Sequence, residues 1–335
     1  MRVKILIATV DTEYAKLLSD HISEYHTDTI EVSVCSTLES LQELASKRKY
    51  DVALMDMMLI ENADTSAVHL PLLLWQENET YAKTSAVYGK IHKYRRISTI
   101  VATVLERYAK VSGSRHGPDI SCANITAVWS PAGGVGKTTV ALAYAASTNP
   151  EDKEVFYLNL EAFSSVPGYF NENGKSISSV FEMLDNNNGN VKMLVQGICC
   201  RESGIKYLTS PDNYDDMCIL SAANIKELVT SCAELADELV IDLSCACDSR
   251  TRQVFEISDK VLIVTSPAVS AETKLAQFMS QNNVFESIRD KVTIVANKGA
   301  KTNEQISESM ISLPFIQSTD ATEIYKTLSE SSFRS

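Results

Sequence analysis

Short apolar runs, rich in Val, Ile and Leu, recur along the chain, separated by stretches in which apolar residues return every three or four positions. In the first third the runs are Val3 to Val10, Ile30 to Cys35, Asp51 to Met57, Leu70 to Trp75 and Ser85 to Tyr94. Between them Glu13 to Glu24 carries Tyr14, Leu17, Leu18, His21 and Ile22 on one helical stripe. Thr37 can cap a helix from Leu38 to Ser46, and Ser98 to Lys110 reads as a closing helix. Strands buried on both faces look like continuous apolar runs, and strands alternating with helices predict a parallel sheet covered on both sides. The pattern resumes with strands at Ile125 to Trp129, Glu154 to Glu161, Gly204 to Pro211, Leu239 to Asp242, Asp259 to Pro267, Lys291 to Gly299 and Ile311 to Gln317. Helical spacing follows Thr138 and returns at Ile177 to Leu184, Val191 to Ile198, Ala222 to Leu235 and Ser270 to Met279. VSGSRHGPDISC, between the two halves, has the Gly, Pro and Ser content of a linker. The expected division is an α/β domain at residues 1–112, a linker at 113–122 and a second, mostly parallel α/β domain at 123–335.

Charge sharpens this division. The chain carries a formal net charge of −12. Up to Pro118 there are 14 Lys and Arg against 15 Asp and Glu, so nearly all of the excess lies in the second part, with 17 against 28. An acidic second domain without a basic stripe argues against non-specific DNA binding, which depends on neutralising phosphates. The eight cysteines form no CxxC and no zinc spacing with His, which suggests buried thiols in a reducing compartment. No apolar run approaches the roughly 20 residues that span a bilayer, and no leader pattern opens the chain, so a cytoplasmic protein is expected.

The most specific chemistry is in NITAVWSPAGGVGKTTVALAYAA, from Asn124 to Ala146. A strand, a Gly-rich turn and a helix follow one another, as a phosphate-binding loop requires. The backbone from Ala132 through Gly133, Gly134, Val135 and Gly136 to Lys137, Thr138 and Thr139 is the candidate cradle for a triphosphate. Gly permits the backbone to turn its N–H groups inward, and the helix adds its positive end. Lys137 would reach the β- and γ-phosphates, and Thr138 would offer a hydroxyl to Mg²⁺. LVID ends in Asp242, an acid at a strand end that can hold the same Mg²⁺. ATP and Mg²⁺ are the expected ligands.

GGVGKTT resembles the deviant loop of the MinD/ParA family of dimeric P-loop ATPases, usually KGGVGKTT. The resemblance implies a homodimer closed around nucleotide. The Lys that reaches the partner's nucleotide in that family is replaced here by Ala132, so hydrolysis is expected to be slow. The family's DxD strand matches Asn159 and Glu161; Glu161 would position the attacking water, or is simply an exposed strand end. Asn297, at the end of KVTIVANKG, would contact the base, and NKGA lacks the Asp of a guanine site, so adenine is favoured. Ser244 to Arg250 would sense the γ-phosphate, with Asp248 and Arg250 as surface or dimer-face residues. Thr322 to Ser335 reads as a packed C-terminal helix or, less well supplied with cations, a membrane-seeking one.

The first domain resembles a response-regulator receiver of flavodoxin-like fold, with Asp56 as the candidate phosphoacceptor. Thr9 and Val10 stand where the family has its acid pair, leaving Asp11 nearby, Trp75 near the hydroxyl position, and Lys93 or Lys90 as the family's Lys. Asp56 is either a solvated strand end in a degenerate receiver that serves as a docking surface, or a working phosphoacceptor. A receiver-like domain joined to a deviant-loop ATPase resembles the TadZ/CpaE family. That resemblance implies a localisation factor for a type IV (Tad/Flp-like) pilus or secretion apparatus, sited at a cell pole or membrane through partner proteins, without nucleic acid. The competing expectations are a ParA- or MinD-like partitioning or positioning ATPase and a phosphorylation-regulated signalling protein.

Overall fold

The computed structural model describes residues 2–27, 29–76, 88–112, 123–148, 153–187, 189–300, 309–331 and 333. The linker at 113–122, Cys122 and the start of the fifth expected strand lie outside the described residues. The chain forms two compact units, Met1–Arg115 and His116–Ser335.

In the first unit the elements run β1 (Val3–Ala8), α1 (Thr12–Tyr25), β2 (Ile30–Cys35), α2 (Leu38–Lys47), β3 (Tyr50–Met55), α3 (Met57–Ile60), β4 (Val68–Trp75), β5 (Gly89–His92) and α4 (Ile97–Ser112). The five strands are all parallel, in the order β2-β1-β3-β4-β5, which is the order of flavodoxin-like doubly wound sheets. Thr37 caps α2 as expected, in a reciprocal arrangement with Ser40. Tyr14, Leu18 and Ile22 are buried on α1, whereas Leu17 is 63% exposed. The expected stripe was therefore one position too wide. Ala15, small and fully covered, takes the inner place. The stretch from Leu59 to His69, polar over much of its length, begins inside α3, with Leu59 and Ile60 buried in the cluster of Leu6, Ala53 and Met55.

The second unit contains β6 (Asn124–Trp129), α5 (Lys137–Ser147), β7 (Val155–Leu160), α6 (Ser178–Asp185), α7 (Val191–Ile198), β8 (Cys200–Glu202), β9 (Ile205–Tyr207), α8 (Ala222–Ala233), β10 (Glu238–Leu243), α9 (Ser249–Ile257), β11 (Lys260–Thr265), α10 (Val269–Met279), α11 (Asn282–Phe285), β12 (Val292–Ala296), β13 (Met310–Ser312) and α12 (Ala321–Ser331). Its eight strands are ordered β13-β12-β11-β6-β10-β7-β9-β8 and are parallel except for the short β8–β9 hairpin. β10, every residue of which is buried, is slotted between β6 and β7, while β11 lies on the other side of β6. The connection from β6 therefore runs one way, to β7, and the connection from β10 runs the other way, to β11. The carboxyl ends of adjacent strands that part in this manner are where open α/β sheets bind ligands. α12 packs on α5, with Tyr325 and Leu328 buried in the same cluster as Ala141 and Leu142. Among the described residues no helix is long and apolar enough to cross a membrane.

Candidate nucleotide site at the end of β6

β6 ends at Trp129, and the seven residues before α5 make the turn. Gly134 and Gly136 have φ of 72° and 91°, the left-handed region that side chains resist. A Cβ on Gly136 would sit 2.5 Å from Nδ2 of Asn297, so this glycine is required by space as well as by conformation. Gly136 is also the N-cap of α5 and gives it no side-chain cap. None of the backbone N–H groups from Gly133 to Thr139 has an acceptor among the described residues. On the other side of the turn, Asn297 Nδ2 donates to the Val135 carbonyl at 2.9 Å and Lys298 Nζ donates to the Gly134 carbonyl at 2.8 Å. In a trans peptide C=O and N–H point in opposite directions, so these bonds turn the N–H groups of Val135 and Gly136 away from the end of β12.

Lys137 is buried at the start of α5. Its ammonium lies 3.4 Å from Oε1 of Glu161 and donates to Sγ of Cys245 at 3.5 Å. Burial disfavours the charged form, but Cys245, Glu161 and Asp242 together outweigh it and hold the Lys137 pKa above its ordinary value. Asp242 is fully buried at the end of β10. Its Oδ2 accepts from the Tyr157 hydroxyl at 2.9 Å and from Asn159 Nδ2 at 3.1 Å. Burial, and next the charge of Glu161, push its carboxyl up, against the hydroxyls of Thr138 and Tyr157 and the Lys137 ammonium. Oδ1 of Asp242 makes no well-formed hydrogen bond among the described residues. An orphaned, buried carboxylate oxygen next to a helix-start hydroxyl suits a divalent cation. No group of three or more His, Cys, Asp or Glu among the described residues could hold a metal alone, so Thr138, Asp242 and ligand oxygens would share it.

The expected residues Lys137, Glu161, Asp242 and Thr138 thus lie together. Glu161 is no free strand end; it pairs with the lysine. Asn297 reaches the loop backbone, and its Oδ1 accepts from Lys298 N at 2.8 Å, so both ends of its amide are engaged. Asp248 caps α9 and pairs with Arg250 at 2.7 Å. Three contributors escaped the sequence reading. Tyr157 follows from the two-residue period of β7, which sets Tyr157, Asn159 and Glu161 on one face. Ser165, which donates to Thr138 Oγ1 at 3.2 Å, and Tyr169, 3.1 Å from Thr139 Oγ1, come from the loop after β7 and left no pattern in the sequence. The cysteines are not all buried: Cys218 and Cys247 are exposed.

In the first unit, Asp56 is buried rather than solvated. Lys93 ion-pairs with its Oδ1 at 2.5 Å, and its Oδ2 accepts from the Thr9 hydroxyl at 2.6 Å and the Val10 amide at 2.9 Å. Of the two lysines considered, Lys93 takes the carboxylate; Lys90 stands over the Trp75 ring.

No protein-family model matches the sequence, and no curated protein sequence matches it. Solved structures do match. A ParA family ATPase from Chlorobium tepidum superimposes with a TM-score of 0.52 at 17% identity, over 63% of this chain and 92% of that one. The septum site-determining protein MinD from Pyrococcus horikoshii, in complex with Mg-ADP, gives 0.46 at 12% identity, over 62% and 95%. A plasmid partition protein from Borrelia burgdorferi gives 0.47 at 18%, over 62% and 96%. Some two thirds of this chain therefore has the fold of the Chlorobium tepidum ParA family ATPase.

Proposed function

We propose that this chain is an ATP-binding positioning switch of the MinD/ParA type. The observation that carries the reading is the combination at the end of β6: seven amides and one oxygen of a buried carboxylate that have no hydrogen-bond partner among the described residues, beside a buried lysine. The amides and Lys137 receive the triphosphate, Lys137 exchanging Glu161 and Cys245 for phosphate oxygens. Thr138 and Asp242 would hold Mg²⁺, which would supply positive charge against the triphosphate. Glu161, released by Lys137, is free to orient a water. Asn297 and Lys298 hold the loop in shape, and a base contact by Asn297 would require it to give up Val135. Adenine remains the favoured base. Two copies close across the nucleotide, ATP acting by its higher affinity for the closed pair. Ala132 brings no charge to the partner's site, so turnover is slow. Beyond this, the receiver-like reading of the first unit and the TadZ/CpaE resemblance support a localisation or assembly factor for a type IV (Tad/Flp-like) pilus or secretion apparatus. The first unit would then serve as its docking module.

Calorimetric titration of the full chain with ATP and Mg²⁺ tests the core of this. Saturable heat that disappears in Lys137→Ala is expected; no heat from the parent chain overturns it. The likeness to a ParA family ATPase supports DNA partitioning as a second reading. It requires DNA binding that weakens steeply with salt, and a gel shift that stays negative at low salt removes it.

A further inference from the structure

The first unit holds a second concave site, on the β4–β5 edge beneath α4. It is a cavity of about 230 Å³ whose walls include Trp75, Lys90, His92, Arg95, Thr103 and Arg107. In a chain of net charge −12, its described lining residues include three formal cations and no carboxylate. Elsewhere in this unit Lys47, Arg48, Lys93 and Lys110 each sit against an acid. Lys90, Arg95 and Arg107 have no such partner among the described residues. The site also has defined geometry. Lys90 Nζ stands 5.2 Å from the Trp75 ring centroid, and the His92 ring meets Trp75 edge-on at 4.6 Å. Arg107 lies against Gly89, where a Cβ would come within 2.9 Å of Nη1 and 3.0 Å of Leu72 Cδ2. Only a glycine leaves the guanidinium that place.

Cations gathered in a hollow repel one another, and a multivalent anion relieves this while gaining charge-assisted hydrogen bonds. Two guanidinium forks favour a phosphate, whose oxygens they can engage in pairs. The volume lies below the roughly 300–1,000 Å³ of drug-sized ligand sites, which limits the occupant to something small. We propose that this cavity binds a small phosphorylated molecule, held through its phosphate by Arg95, Arg107 and Lys90 beside the Trp75 ring. The proposal does not depend on nucleotide binding by the second unit.

The chain has two tryptophans, and Trp129 is buried between Phe255 and Phe278, so Trp75 is the one that a ligand here would disturb. The test uses the full chain carrying Lys137→Ala, which silences the phosphate loop, titrated with inorganic phosphate and with pyrophosphate. A saturable change in tryptophan emission is expected. It should vanish in Trp75→Phe and need at least tenfold more ligand in Arg107→Ala and in Arg95→Ala, each with an unchanged far-UV circular dichroism spectrum. The proposal is overturned if emission does not change, if sodium chloride at equal ionic strength reproduces the change, or if both arginine variants respond like the parent. It is overturned too if a polyglutamate peptide binds with this variant dependence while phosphate and pyrophosphate do not, which would make the face a dock for an acidic protein segment.

Discussion

The side-chain amide of Asn297 donates to the main-chain carbonyl of Val135 at 2.9 Å, joining two points 162 residues apart in the chain. That one bond ties the end of β12 to the middle of the phosphate loop. Asn297→Ala would leave the Val135 carbonyl buried without a donor, a loss of about 1–3 kcal/mol. Thermal unfolding should show the drop, and ATP affinity should fall with it. Full affinity in this variant would mean that the loop keeps its shape without the tie.

Gly136→Ala meets two obstacles at once, a φ of 91° and a Cβ placed 2.5 Å from the Asn297 amide. Left-handed backbone costs a non-glycine residue about 1–2 kcal/mol, before the tie to Val135 is displaced. The expected result is a chain that folds with reduced stability and binds ATP at least tenfold more weakly by calorimetry. The double variant Gly136→Ala/Asn297→Ala should lose less than the sum of the two, because the clash partner has gone.

Asp56 and Lys93 form an ion pair whose side chains are about one-tenth exposed. Asp56→Asn or Lys93→Ala alone strands a charge and should cost about 3–5 kcal/mol. Asp56→Asn/Lys93→Met should recover most of that loss in urea unfolding. With both Asp56 oxygens engaged and Thr9 and Val10 in place of an acid pair, acetyl phosphate with Mg²⁺ is expected to leave the mass of the chain unchanged.

The His26 pKa lies below its ordinary 6.5, because the half-buried ring is partly desolvated and, secondarily, because His21 is close. The unfolded chain then takes up this proton more readily than the folded one. Stability is complete above about pH 6.5 and is lost as pH falls through that value towards the depressed one. Urea midpoints at pH 7.5 and 5.5 should differ less in His26→Asn than in the parent chain.

Long parallel strands were legible because each is an apolar run buried on both faces, as β10 and β12 show. The loop was legible because its demands on backbone and space fall on glycines next to each other in sequence. What the sequence hid was set by distant partners. Asp56 looked like a solvated strand end because Lys93, 37 residues away, is what neutralises it. The hold of Asn297 on Val135 stayed hidden because nothing local in the sequence announces it. The three-residue strands β8 and β9 were blurred because so short a hairpin has too few positions to display a period. Leu17 was misplaced because a helical stripe read from spacing alone does not say where its edge meets solvent.

α12 has a practical consequence. It supplies Tyr325 and Leu328 as the outer cover of α5, and Tyr144 of that helix meets Phe333 edge-on at 5.6 Å. A truncation ending after β13 would strip this cover and expose a greasy strip on the helix that begins at Lys137. Such a fragment should express poorly and clump, so any shortened version meant for solution work must keep the chain through Phe333, and affinity tags are safer at the opposite terminus.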